Sequence, residues 1–313
     1  MKRKEQTAFF IGLSERKLAV IGVFAAALVV SGVVLSSFLW RAQKPTFSFK
    51  AAIVDQLGGK DQFPNPEFNE TGSVASMLRE AGFNVTYYRS ENVTVNFYRE
   101  LAKKSYGIIL LRTHAAVRTD ESLVDLFTSE RFKTGIYEYE RNNNLLTGAY
   151  YSWKPGIYYF AVTYKFIENI EGIFPQSLII AMGCNTLNEN CTEMAEAFIR
   201  KGAQAYLGWT GWIQPSHMDN ETIKLLRGFL VEGKTLNQVV TTALPDPDGS
   251  RIDLYPSAAG NLTLAKLSEE KASVNEGLIC SFEKGLPITG FLSAPVFWKR
   301  FRTNDCGDHP LPD

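Results

Sequence analysis

Two apolar runs constrain this chain more than anything else in it. Residues 106–112 read Tyr-Gly-Ile-Ile-Leu-Leu-Arg and residues 177–182 read Ser-Leu-Ile-Ile-Ala-Met, each bounded by turn-forming residues. Runs of five or six apolar residues without polar alternation fit strands buried on both faces, the central positions of a parallel sheet. The first leads into Thr113-His114-Ala115 and the second into Gly183-Cys184-Asn185. In such sheets ligands and chemistry collect beyond the carboxyl ends of the strands. His114 and Cys184, 70 residues apart in sequence, therefore stand where a reacting pair would stand.

The flanking sequence repeats the same rhythm. Residues 49–57 read as a first strand, 71–81 as a helix closed by Gly82, 83–89 as a second strand and 95–104 as a second helix. After 177–182, a helix over 194–201 closes at Gly202 and a strand follows over 203–209. Helices over 220–232 and 236–243 complete the pattern. Alternating strands and helices with short connections predict an α/β, doubly wound, mostly parallel sheet. Residues 120–175 interrupt it. They are rich in Tyr and Phe, with a turn at Asn142-Asn143-Asn144, and predict a β-rich insertion with strands over 137–141 and 156–163. From Pro245 onward the chain is punctuated by Pro and Gly, with β-like runs at 277–282 and 287–292.

The N-terminus has another character. Residues 18–40 carry no charge and are long enough to cross a hydrocarbon layer of about 30 Å as a helix. Lys2, Arg3, Lys4, Arg16 and Lys17 precede them, so the positive-inside bias predicts a cytoplasmic tail over 1–17. An anchor at 18–40, a linker at 41–48, an α/β domain at 49–244 outside the membrane and a C-terminal extension at 245–313 follow. A cleaved signal peptide is the rival, but its apolar region would span only about 7–15 residues. Six Asn-x-Ser/Thr sequons, at Asn69, Asn84, Asn92, Asn190, Asn220 and Asn261, agree with an exported glycoprotein at the cell membrane.

The four cysteines point two ways. An even count in an oxidising compartment favours disulfides, with Cys280 and Cys306 a possible pair. A bond from Cys184 to Cys191 would remove the candidate nucleophile; Cys191, inside the Asn190 sequon, is expected to be exposed or bonded. Lys+Arg and Asp+Glu both count 33, which argues against a nucleic-acid partner. No Walker A spacing, no GxGxxG opening a helix and no HExxH motif occurs, so neither a nucleotide cofactor nor a metal is expected. Asp55 ends the first strand in the position of a receiver-domain acid, a reading that an outside location argues against.

A thiolate nucleophile needs an imidazole to activate it or to serve the leaving group, and acyl transfer needs backbone N–H donors for the oxyanion. The amides near Ala115 and Cys184 are placed to supply them, and Gly183 lets the chain turn ahead of the thiol. Three segments carry a family resemblance: Tyr106-Gly-Ile-Ile-Leu-Leu-Arg-Thr-His114, Leu178-Ile-Ile-Ala-Met-Gly-Cys184-Asn-Thr and Met194-Ala-Glu-Ala-Phe-Ile-Arg-Lys-Gly-Ala-Gln-Ala-Tyr-Leu-Gly-Trp209. They resemble the caspase-like (clan CD) cysteine peptidases, closest in pattern to gingipain and CHAT-type domains, over roughly residues 49–244.

In that family the catalytic His ends one core strand and the catalytic Cys ends the next. The resemblance therefore implies Cys184 as nucleophile and His114 as general acid/base, cleaving a peptide or protein substrate through a thioester. It also implies Asn185, one of the polar residues after the cysteine, as a substrate-pocket candidate, together with a wall of that pocket formed by Trp209 and Trp212. His217, a few residues on, is a back-up base candidate. The family usually places Gly after the His where this chain has Ala115, a costly exchange if that position requires a positive φ. The alternative is a catalytically inactive caspase-like module that binds at the cell surface.

Overall fold

A computed structural model describes residues 46–118 and 121–269. The expected anchor at 18–40, the Cys280 and Cys306 pair and the β-like runs after 277 lie outside these residues. Among the described residues no helix is long and apolar enough to cross a membrane.

The expected rhythm is present. Strand β1 (Lys50–Asp55) is followed by helix α1 (Ser73–Glu80), β2 (Asn84–Tyr88), α2 (Val95–Leu101) and β3 (Ile108–Arg112). After an insertion come β8 (Leu178–Met182), α5 (Glu193–Arg200), β9 (Ala205–Trp209), α6 (Pro215–Leu230), α7 (Leu236–Thr242) and β10 (Ile252–Tyr255). Six of these strands form one sheet in the order β10-β9-β8-β3-β1-β2. All pair in parallel except β10, which runs antiparallel to β9. The protein is thus mixed α/β with a mostly parallel sheet. Its sheet continues past Leu244, because β10 adds an edge strand that its short, half-polar sequence Ile-Asp-Leu-Tyr hardly announces.

Side-chain alternation along the strands divides the core into two layers. Ile109 and Leu111 of β3, with Ile179 and Ala181 of β8, face α2 and α5 through Tyr98, Leu101, Ala197 and Phe198. Ile108 and Leu110, with Leu178, Ile180 and Met182, face α1, α6 and α7 through Leu78, Leu225, Phe229 and Val239. Burial on both faces is what the unbroken apolar runs require, at roughly 1.5–3 kcal/mol per large side chain. Helix α6 starts five residues before the expected 220. Pro215 occupies its first turn, where the missing N–H costs nothing, so this proline opens a helix.

The insertion forms a second, antiparallel sheet in the order β4-β5-β7-β6, built from β4 (Ala115–Val117), β5 (Val124–Arg131), β6 (Leu146–Tyr150) and β7 (Tyr158–Val162). Its short helices are α3 (Glu138–Asn142) and α4 (Tyr164–Asn169). The strand expected over 137–141 is corrected to helix α3. None of its residues is buried, so the alternating Tyr/Glu pattern has no sheet face to serve. Ion pairing of Arg99 with Glu140 at 2.7 Å and stacking of Arg141 over Phe132 hold the turn instead.

Candidate functional site

Strands β3 and β8 are neighbours, with Arg112 opposite Met182 in register. The Thr113 N–H donates to the Met182 carbonyl at 3.0 Å, which carries the pairing one residue further. His114 and Cys184 are each two residues past those partners. They leave adjacent strands at the same level, about 4.8 Å being the ordinary spacing between strands.

Gly183 makes this closeness possible, though not by turning. A Cβ there would lie 2.4 Å from the Thr113 carbonyl oxygen and 3.3 Å from the Ala115 methyl. The left-handed turn falls at Asn185 instead, with φ 57°. Asn185 is buried, and its N–H donates to Gly211 O at 2.8 Å. It shapes the turn after the cysteine, with its amide facing Asn188.

Cys184 carries a free thiol, and no disulfide joins it to Cys191. The two cysteines pack against opposite layers of the core, and Cys191 is buried, not exposed. The Cys184 thiol donates to Ile213 O at a long 3.9 Å. Burial pushes its pKa above the ordinary thiol value and the Asp246 charge adds to this, offset in part by backbone groups of Ile213 and Cys184.

His114 is held from three sides. Its N–H donates to Gln56 Oε1 at 3.0 Å, its carbonyl accepts from Phe127 N–H at 2.9 Å, and Nε2 lies 2.8 Å from Gln62 Oε1. The ring sits among Tyr151, Trp153, Phe63 and Phe127, at centroid distances of 4.6 to 5.9 Å. Burial first, and the Arg112 charge second, pull its pKa down to about 3. The imidazole is therefore neutral at neutral pH. Imidazole and thiol each keep another partner and share no hydrogen bond, so they stand as two uncharged groups.

Beneath the pair lies a buried ion cluster that sequence reading missed. Arg112, wholly buried, donates from Nε and Nη2 to both Asp219 oxygens at 2.8 and 2.7 Å, and from Nη1 to Asp55 at 2.7 Å. Nη2 also donates to Phe63 O at 2.6 Å, which fixes the loop that touches His114. Burial pushes the Asp55 carboxyl above its usual range, against the pull of Arg112 and the Tyr87 hydroxyl. The signal was present in the sequence: a charge ending an otherwise apolar strand demands buried partners. Asp55 thus serves as an ion-pair partner of Arg112 in the core.

The comparison with known proteins finds no family model and no curated protein that matches this chain.

The remaining expected site residues separate. Trp209 is 0% exposed and packs edge-on to His217, so its indole fills the core of the α6 face. Trp212 is 63% exposed and adjoins Ile213, the partner of the thiol. His217 lies in the first turn of α6 and faces Leu244 O at 3.0 Å. Ala115, 7% exposed, is extended in β4 opposite Leu126. That backbone suits alanine as well as glycine, so no positive-φ cost arises. On the histidine side, the insertion adds Trp153, 49% exposed and T-shaped to Phe63, an aromatic surface that sequence reading did not single out. A polar cavity of about 370 Å³ beyond β1 and β2, lined by Gly58, Gly59, Lys60, Arg89 and Ser90 among others, includes neither His114 nor Cys184.

Proposed function

We propose that this protein is a membrane-anchored, extracytoplasmic cysteine endopeptidase of the caspase-like class, with Cys184 as nucleophile and His114 as general acid/base. The supporting observation is the matched exit of these residues from adjacent parallel strands, pressed together at Gly183. It agrees with the resemblance, in which His and Cys end neighbouring strands. The sequons support an outside location: Asn84, Asn92, Asn190, Asn220 and Asn261 are exposed and Asn69 is half-buried.

Chemistry follows from two neutral groups. Cys184 sulfur attacks the scissile carbonyl carbon while its proton passes to His114, which forms the C–S bond and an oxyanion. Amides of Ala115 and Cys184 are the candidate donors to that oxygen. Collapse breaks the C–N bond, and the amine leaves with the proton that His114 held. Water, deprotonated by His114, then hydrolyses the thioester, releasing the acid and restoring the thiol. Exposed Trp212, next in chain to the thiol's partner Ile213, and exposed Trp153, packed on the imidazole, are the candidate apolar contacts for a peptide.

A second reading, a silent caspase-like binding module, is favoured by the raised pKa of the thiol and by the engagement of His114 with Gln62. Incubation with a proteome-derived peptide library separates the two. The enzyme cuts, and both Cys184→Ala and Cys184→Ser abolish cutting. Cleavage that survives either change would sink the peptidase mechanism, and a wild type that binds peptides without cutting them selects the module.

A further inference from the structure

A neutral imidazole donates at one nitrogen and accepts at the other, so which nitrogen holds the proton decides what His114 can do. Three geometric facts bear on this. Nε2 lies 2.8 Å from Gln62 Oε1, and a carbonyl oxygen only accepts. The Tyr151 hydroxyl, on the ring that packs against His114, accepts from Gln56 Nε2 at 2.8 Å. Gln56 has its own orientation set by the His114 backbone N–H, a donor that cannot reverse.

The loop that carries Gln62 is pinned at both neighbours. Phe63 O accepts from Arg112 Nη2 at 2.6 Å, and Asp61 O accepts from Lys154 Nζ at 3.4 Å. Phe63 and Trp153 close over the ring at 5.8 and 5.2 Å from its centroid. Nδ1 has no hydrogen-bond partner among the described residues. The charges below the ring, Arg112 of β3 with Asp55 at the end of β1 and Asp219 of α6, are paired with one another.

We infer that Gln62 is a positioning residue that holds His114 as the Nε2–H tautomer, leaving Nδ1 as the nitrogen that takes the Cys184 proton and returns it to the leaving amine. The first half concerns the resting protein, and the second rests on the peptidase reading. Tautomer choice matters because a ring fixed by one hydrogen bond presents its lone pair in one direction, which is the geometric requirement of proton transfer.

The chain has three histidines, so selective ¹⁵N-histidine labelling of the full-length protein yields three imidazole spin systems. His217→Gln and His309→Gln variants assign them. At pH 8 the wild type is expected to show a protonated Nε2, an unprotonated Nδ1 and a slowly exchanging Nε2–H proton. Gln62→Leu loses that slow proton, and Gln62→Glu, which keeps an acceptor, retains it. In peptide cleavage, Gln62→Leu lowers kcat roughly 10- to 100-fold, part of the ~10²–10⁴-fold that positioned proton transfer supplies. KM changes by less than about threefold, and Gln62→Glu recovers most of the lost rate.

An Nδ1–H tautomer in the wild type overturns the inference. So does a Gln62→Leu spectrum identical to wild type, or a loss confined to KM. If the wild type cuts nothing, the peptidase reading fails alone, since the spectrum still decides what Gln62 does to His114.

Discussion

Removing Arg112 tests the part of the fold on which the candidate site stands. In Arg112→Leu, Asp55 and Asp219 stay buried, each with an exposed side-chain fraction of 3% or less, but lose their shared cation. A surface ion pair is worth roughly 0–1 kcal/mol, whereas breaking a buried pair from one side costs about 3–5 kcal/mol, because the partner is left uncompensated in a poorly solvating interior. Here two carboxylates are orphaned and the Phe63 carbonyl loses its donor, so the upper part of that range applies. Domains are stable by about 5–15 kcal/mol, so the variant should fold but stand near the limit. With a urea m-value of about 2 kcal/mol/M, a 4 kcal/mol loss moves the midpoint by about 2 M. Urea melts followed by tryptophan fluorescence measure this. Arg251→Ala, which removes an exposed 3.6 Å contact to Glu189, is the control and should stay within about 0.5 kcal/mol of wild type. The loss in Arg112→Leu should shrink as pH falls, because the Asp55 carboxyl, already pushed up by burial, takes up a proton and sheds its charge. A loss below 1 kcal/mol, or one equal to the control's, would refute the claim that a desolvated charge network supports His114.

Three further outcomes follow from the same geometry. Gly183→Ala places a Cβ 2.4 Å from Thr113 O and should cost about 1–3 kcal/mol in urea melts, whereas Gly211→Ala, with 3.4 Å to its nearest atom, should be tolerated; equal effects would remove the close-approach argument. The pKa of His114 lies below the unfolded value near 6.5, so its contribution is fully present above pH 6.5 and is lost as pH falls toward about 3. His114→Gln should therefore flatten the acid limb of the stability curve by up to about 1.4 kcal/mol per pH unit, and an unchanged limb would mean that the ring protonates freely in the fold. Trp209→Ala should cost about 3–5 kcal/mol and Trp212→Ala within about 0.5 kcal/mol, with only the latter altering peptide turnover in a folded protein; the reverse order of stabilities would contradict their burial.

Much of the sheet was legible in the chain because its central strands are buried twice over. Double burial demands an unbroken apolar run such as Ile108-Ile-Leu-Leu111, and its shortness between turn-forming residues separates it from a buried helix. Elements with one exposed face or none buried were harder. The helix at Glu138–Asn142 and the edge strand β10 take their conformations from partners such as Arg99 and β9, which are distant in sequence. Gln56 and Gln62 carried no local signal at all. A glutamine in a loop reads the same whether it faces solvent or orders a histidine.

By itself, then, the sequence determined the alternation of strands and helices, the burial of β3 and β8, and the exit of a histidine and a cysteine from strand ends. These follow from local periodicity. Only the tertiary structure decided that β3 and β8 are neighbours in register, that Gly183 serves close approach while Asn185 makes the turn, and that Trp209 is core while Trp212 is surface. It also decided that Arg112 gathers two carboxylates beneath the site and that Gln62 faces the imidazole. Each of these depends on groups brought together across 20 to 110 residues of chain, and such meetings are set by packing and desolvation, which no local pattern encodes.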